Sequence, residues 1–184
     1  TNSFDILALE SYDQVLVRTG GVVHARRKKF MEEFSPLFQH YFQYIVEHES
    51  VEIAYRSGLS EKSFQEGLLE SRQRDLFQQR TGFGVHRDDY VFTLGHGDLK
   101  RLGSQGQQKS FVIALKLAQF HIVKEYKRAA PILLLDDLFD KLDDLRIAKL
   151  LALFREGAFG QMFITDARPD RTQSLLRQVN LEAL

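Results

Sequence analysis

The chain contains no cysteine, which excludes disulfides and thiolate zinc sites and fits a reducing compartment. It carries no net charge, with 25 basic against 25 acidic residues. The average field therefore gives no support to a globally basic nucleic-acid binder, and any such function has to reside in a local patch. Six histidines are scattered, without a metal-ligand pairing such as HExxH. No run approaches the roughly 20 apolar residues of a membrane span, and no signal-peptide pattern opens the chain. The pattern predicts a soluble, cytoplasmic protein. Internal repeats and low-complexity tracts are absent, and so is the phosphate-cradling loop GxxxxGK followed by Ser or Thr.

What remains is a folding composition. In 184 residues, 43% are hydrophobic, enough for one substantial core or one core with a smaller appended unit. From residue 9 to 45 a helical period runs through Leu9, Tyr12, Leu16, Thr19, Val23, Phe30, Phe34, Leu37, Tyr41 and Ile45. Gly20-Gly21 and Ser35-Pro36 interrupt it, predicting either one long helix or a pair, kinked or restarted at Pro36. Residues 51–57 read as a short strand and 60–80 as a second, charged helix. Residues 1–82 are thus expected to form a helical arm. From residue 83 the texture changes to strand YVFTL, a helix starting near Ser104, strand PILLL, a helix over 144–156, strand QMFIT and a helix from Pro169. This order predicts an α/β layer structure over 83–184. The uninterrupted apolar run 132–135 predicts a parallel strand covered on both faces, and after Ser104 the recurrence of Val112, Leu115, Gln119, Ile122 and Tyr126 at three- and four-residue intervals predicts the helix.

Four stretches carry candidate chemistry. Ser104-Gln105-Gly106-Gln107 has the pattern of a capping box, which needs no ligand. A glycine in a first helical turn, however, also lets a bulky anion approach the unpaired N–H groups there. Asp136 and Asp137 end the strand PILLL, where α/β sheets place ligands. They suit a Mg²⁺ ion and an attacking water, or simply a helix cap. The following LFDKLDD, ending in Asp143 and Asp144, reads as a solvated loop or helix start. Thr165 and Asp166 close a second apolar strand, beside Asp136 if the two strands are neighbours. The basic run Arg26-Arg27-Lys28-Lys29 reads either as a solvated helix face or as a nucleic-acid contact. Arg72, Arg74, Arg80, Lys100, Arg101 and Lys109 extend it into an interrupted strip.

GVHRDD at 84–89, GSQGQQKSFVIALKLAQ at 103–119, PILLLDDLFDKLD at 131–143 and GQMFITD at 160–166 occur in the order and spacing of the RecF family. That family comprises bacterial recombination mediators related to SMC and ABC-type ATPases, and the chain resembles it densely from about 81 to 166 and more loosely over the arm. The resemblance implies part of a P-loop ABC/SMC-type ATPase head, a mostly parallel sheet with flanking helices, carrying an α-helical arm.

It further implies that Ser104, Gln105, Gly106 and Gln107 form a signature motif contacting ATP held by the opposite subunit of an ATP-dependent homodimer. Asp136 and Asp137 would be the Walker B pair, the first organising Mg²⁺ through water and the second polarising the attacking water. Asp143 would lie in the D-loop, with Thr165 and Asp166 ending the switch strand. The whole protein would bind DNA at gaps or single-strand/double-strand junctions, for which the basic run Arg26, Arg27, Lys28 and Lys29 is the candidate contact. RecR and RecO would be partners, RecA an indirect one, and the setting would be DNA repair, replication restart and the SOS response. Val85 stands where the family carries proline, and neither His86 nor Arg87 acquires a role. The missing loop and the non-Met start lead to the expectation of a carboxyl-terminal half that does not hydrolyse ATP by itself, whereas the whole protein would be a slow DNA-stimulated ATPase. An SMC-like head, a transporter's nucleotide-binding subunit and a plain interaction module are the rival readings.

Overall fold

The computed structural model describes residues 6–178. Its first element, α1 (Ile6–Ile45), is a single helix of 40 residues with Pro36 inside it. Of the two arrangements open from the sequence, the continuous rod is adopted, since proline removes one donor while its φ remains helical. Next come β1 (Val51–Arg56), a 3-10 turn (Gly58–Ser60) and α2 (Phe64–Gln78). A reciprocal capping box between Ser63 and Glu66 sets the start of α2, satisfying two donors that the helix cannot pair internally. The strands β2 (Asp89–Leu94) and β3 (Gly97–Asp98) form a hairpin with Thr93 opposite Asp98, and the sheet order is β1-β2-β3. Then follow α3 (Leu99–Leu102), α4 (Gln105–Lys127), β4 (Leu133–Leu135), α5 (Asp144–Arg155), β5 (Met162–Ile164) and α6 (Pro169–Gln178).

β4 and β5 pair in parallel, with Leu133 opposite Met162 and Leu135 opposite Ile164. Parallel strands need a crossover, which α5 supplies. The α/β class follows, but the expected double coverage does not. Leu133 and Leu135 are buried while Leu134 is 62% exposed, and its neighbour Phe163 is 52% exposed. One face of this small sheet is covered and the other is open.

The chain divides into two compact units. One gathers residues up to Glu33 with Ile53–Val91, the other Phe34–Glu52 with the residues from Phe92 on. In the second unit, Phe34, Phe38, Tyr41, Phe42 and Ile45 of α1 are buried, at the three- and four-residue spacing of one helix face. Phe111 of α4 sits among them, its ring centroid 4.7 Å from Phe38, 6.2 Å from Phe42 and 5.2 Å from Phe92. Around Phe159, Phe120 and Phe154 close a second aromatic cluster at 5.1 and 5.7 Å, in the edge-on and tilted arrangements that ring quadrupoles favour. The buried face of α4 is Phe111, Ala114, Leu117 and Ala118, whereas Val112 and Tyr126 are exposed. The periodicity that predicts the helix does not choose its buried face, because FVIALKLAQF is apolar around most of the helix.

In the first unit, Phe64 packs where a Cβ on Gly20 would sit, and Phe83 where Cβ atoms on Gly58 and Gly67 would sit. Glycine inside a helix costs about 1 kcal/mol relative to alanine, offset here by letting two rings lie against backbone. Asp88 has a side chain only 2% exposed. It accepts from Tyr55 Oη at 2.5 Å and Arg27 Nη1 at 2.8 Å, and Arg27 also donates to the Val85 carbonyl at 2.6 Å. Burial pushes the Asp88 carboxyl up, but hydrogen bonds from Ser57, Tyr55 and Arg27, with the Arg27 charge, outweigh it and hold the group below its ordinary value.

Phe111→Ala is expected to cost about 3–5 kcal/mol, by loss of a buried ring and the cavity left behind, read as a fall in the urea midpoint. A carboxyl with a depressed folded-state pKa stabilises above the ordinary carboxylate value, about pH 4, and loses that contribution as pH falls through its folded value. Asp88→Asn is therefore expected to destabilise at pH 7, with the gap to wild type narrowing steadily below about pH 4 in denaturation series. A gap that does not change with pH would show that the Asp88 charge is not what holds this unit.

Candidate functional site

The start of α4 is built from its own sequence. Ser104 has an extended backbone, its Oγ accepts from the Gln107 N–H at 3.2 Å, and Gln107 Oε1 accepts from the Ser104 N–H at 2.7 Å. The capping box is thus formed in full, leaving the N–H groups of Gln105 and Gly106 as the first-turn donors. Ser104 and Gln105 are exposed. Gly106 has an intramolecular cause: a Cβ there would lie 2.9 Å from the Lys141 carbonyl oxygen and 2.8 Å from Arg146 Nη1. The bare Cα lets the chain's own loop come close to the first turn of α4.

That loop, residues 138–143, is not the solvated segment its acids suggest. Leu138, Phe139 and Leu142 are buried and pin it, while Asp143 is exposed and caps α5 through the Arg146 N–H at 2.9 Å. Arg146 bridges outward to Asp143 at 3.5 Å and Glu49 at 3.8 Å, and Glu49 accepts from Gln107 Nε2 at 2.7 Å. Glu49 and Arg146 thus tie the α4 cap to the loop. Neither is recognisable from spacing, since Glu49 lies 58 positions from Gln107.

The acids at the sheet end are joined to the same structure. Thr165 Oγ1 donates to the Asp136 carboxylate and accepts from the Asp137 N–H at 2.9 Å. The backbone continues the ladder, Thr165 N–H to the Leu135 carbonyl at 3.0 Å and Leu138 N–H to the Thr165 carbonyl at 3.1 Å. Asp136 is exposed, and Asp137 has φ +49°, a left-handed conformation that aspartate tolerates better than most residues. Lys109, one turn into α4, donates to the Asp137 carbonyl at 2.8 Å and the Asp136 carbonyl at 3.3 Å. In sequence Lys109 is one more cation in an interrupted strip; in the fold it links the helix start to the acidic pair. Asp166 accepts from the Arg168 N–H at 3.2 Å and Thr172 Oγ1 at 2.7 Å, holding the turn into α6.

Ser104 to Gln107, Asp136, Asp137, Asp143, Thr165 and Asp166 therefore all belong to the second unit, and hydrogen bonds link the α4 start, the 138–143 loop and the two strand ends. Among the described residues no group of three or more His, Cys, Asp or Glu is placed to hold a metal ion. The exposed Asp136 carboxylate fits Mg²⁺ of the kind held by one or two carboxylates plus waters and phosphates, not a protein-only cage.

The basic run lies in the first unit. Arg26, Lys28 and Lys29 are exposed, while Arg27 is engaged with Asp88 and the Val85 carbonyl. Among the described residues no helix is long and apolar enough to cross a membrane.

No family model matches the chain. It is 43% identical over 169 residues to the DNA replication and repair protein RecF of Cytophaga hutchinsonii, covering 91% of this chain and 45% of that protein. It is 42% identical over 180 residues to the RecF of Flavobacterium johnsoniae, covering 97% and 50%. A solved structure described as the recombination mediator protein RecF-ATPrS in the RecFOR pathway superposes with a TM-score of 0.75 at 25% identity, over 92% of this chain and 47% of that one. The Smc head domain of Pyrococcus furiosus, at a TM-score of 0.51 and 16% identity over 91% of this chain and 35% of that one, shares the fold. The chain spans about half the length of the curated relatives it matches. With this identity carried across nearly all of its residues, the chain belongs to the RecF family.

Proposed function

We propose that this chain is the carboxyl-terminal half of a cytoplasmic, ATP-dependent DNA-binding recombination mediator, with residues 1–82 as the arm and 83–184 as the later part of the ATPase domain. The whole protein dimerises on ATP and binds gapped DNA or single-strand/double-strand junctions. With RecR and RecO it supports RecA loading in repair, in replication restart and in the SOS response. One observation carries this reading: Lys109 bonds the capped start of α4 to the backbone of the acidic pair at the strand end. A phosphate gripped at one is thereby coupled to the carboxylates of the other.

Each residue's task follows from its chemistry. Ser104 Oγ and the N–H groups of Gln105 and Gly106 point positive charge at the γ-phosphate held by the opposite subunit, and Gln107 holds the cap in shape. Asp136, oriented by Thr165, would hold Mg²⁺ through its bound water, and Asp137 would orient the attacking water. Asp143 stays at the subunit boundary and Asp166 stiffens the turn after Thr165. Bound Mg²⁺–ATP supplies the transferable phosphoryl group and the charge that draws two copies together. Arg26, Lys28 and Lys29 meet DNA phosphates. The open face carrying Leu134 and Phe163 suits coverage by the remaining half of the relatives' length, which would also supply the missing phosphate loop.

The test joins this chain to the sequence encoded ahead of it and follows ATP-dependent dimerisation by sedimentation. Ser104→Arg is expected to bind ATP as wild type does but to remain monomeric; undiminished dimers would refute contact in trans. Asp137→Asn is expected to slow ATP turnover by about 10²-fold or more while dimers still form. In the joined protein, Lys28→Glu with Lys29→Glu is expected to weaken DNA binding and reduce the salt slope by about one for each phosphate no longer neutralised, and an unchanged slope would remove the run from the DNA surface.

A further inference from the structure

The first unit contains a cavity of about 530 Å³ lined by Leu16, Thr19, Gly20 and Val23 of α1, Phe64 of α2, and Arg80, Thr81, Phe83, Val85, His86 and Arg87. That volume lies in the range that binds small organic ligands. Its chemistry is divided. The floor is apolar and aromatic, with Phe64 and Phe83 meeting edge to face at 5.9 Å and 82°. The rim carries Arg80, His86 and Arg87, all exposed, and no acidic side chain lines the cavity. Positive charge on this rim is therefore uncompensated within the lining.

The cavity is also held in shape. Both rings sit against the backbone at glycines, Phe64 at Gly20 and Phe83 at Gly58 and Gly67. The backbone carrying His86 and Arg87 is clamped on either side, where Arg27 bonds the Val85 carbonyl and pairs with Asp88. His86 Nε2 donates to the Thr81 carbonyl at 2.8 Å, fixing the ring at the rim. A preformed floor with the backbone of its rim held in place lowers the ordering cost of binding.

We infer that this cavity binds a nucleotide unit, its base against the Phe83 and Val23 wall and its phosphate between Arg80 and Arg87. Guanidinium forks match phosphate oxygens, and an aromatic floor stacks any base without reading its sequence. An acidic side chain brings the anion without a flat apolar body, and an acyl chain brings an apolar body without needing two guanidinium groups. The same chemistry is presented by a free mononucleotide and by an unpaired nucleotide of a DNA strand. The site is built from the first unit alone, so it stands or falls independently of the ATP contacts proposed for the second.

The sequence contains no tryptophan, so Val23→Trp places a single indole on the cavity wall, and a stacked base quenches it. The probes are thymidine 5′-monophosphate and a short 5′-phosphorylated oligothymidylate. Saturable quenching is expected, weakened at least about tenfold by Arg80→Glu with Arg87→Glu and left unchanged by Arg56→Glu, an exposed cation outside the cavity. Thr19→Phe fills the cavity without altering its charge and is expected to abolish quenching, with circular dichroism checking the fold of each variant. Quenching by both probes assigns the site to nucleotides in general, and quenching by the strand alone assigns it to DNA. The inference is overturned if neither probe quenches, if quenching survives both the charge reversal and Thr19→Phe, or if a phenylalanine-containing oligoglutamate quenches where both nucleotides fail.

Discussion

The carbonyl oxygen of Lys141 lies 2.9 Å from the point where any residue but glycine at position 106 would place its Cβ. That approach fixes the loop 138–143 against the first turn of α4, and the rest of the candidate site depends on it. With the loop seated by Leu138, Phe139 and Leu142, Asp143 caps α5 and Arg146 reaches both Asp143 and Glu49. Glu49 in turn receives Gln107 from the cap. A larger residue at 106 would have to displace backbone as well as the Arg146 guanidinium, since one of the two obstructing atoms is a main-chain oxygen. Movement of either the helix start or the loop must therefore be shared by the other.

Thr165 does for the sheet what Gly106 does for the helix. Parallel pairing of β4 with β5 puts Leu135 opposite Ile164, so the next residues on both strands emerge side by side. A hydroxyl at 165 can then donate to the Asp136 carboxylate and accept from the Asp137 N–H at once. Both functions of one hydroxyl are used, and valine, its near isostere, would supply neither. Asp137 turns left-handed directly after this point, with its carbonyl held by Lys109. The acidic pair thus has its backbone positioned by a threonine and a lysine distant in sequence.

The first unit uses charge differently. Arg27 sits in a run of four cations, yet its guanidinium is committed to Asp88 and to the Val85 carbonyl. Burying that carboxylate would be costly without the arginine and the Tyr55 hydroxyl. What the run offers to solvent is therefore Arg26, Lys28 and Lys29, while Arg27 secures the segment that carries His86 and Arg87.

Much was legible along the chain. The helix start at Ser104, the helix from about Asp144, the two apolar strands and their α/β order depend on neighbours three or four residues away, and such short-range chemistry is carried by the sequence itself. The motifs from Gly84 to Asp166 were enough to place the chain in its family. The tertiary structure alone decided which face of α4 is buried, that only one face of the β4–β5 sheet is covered, that the 138–143 loop approaches Gly106, and that Glu49, Lys109 and Arg146 belong to the site. Each of those outcomes depends on which surface a residue meets across tens of positions, and neither periodicity nor spacing contains the identity of that surface.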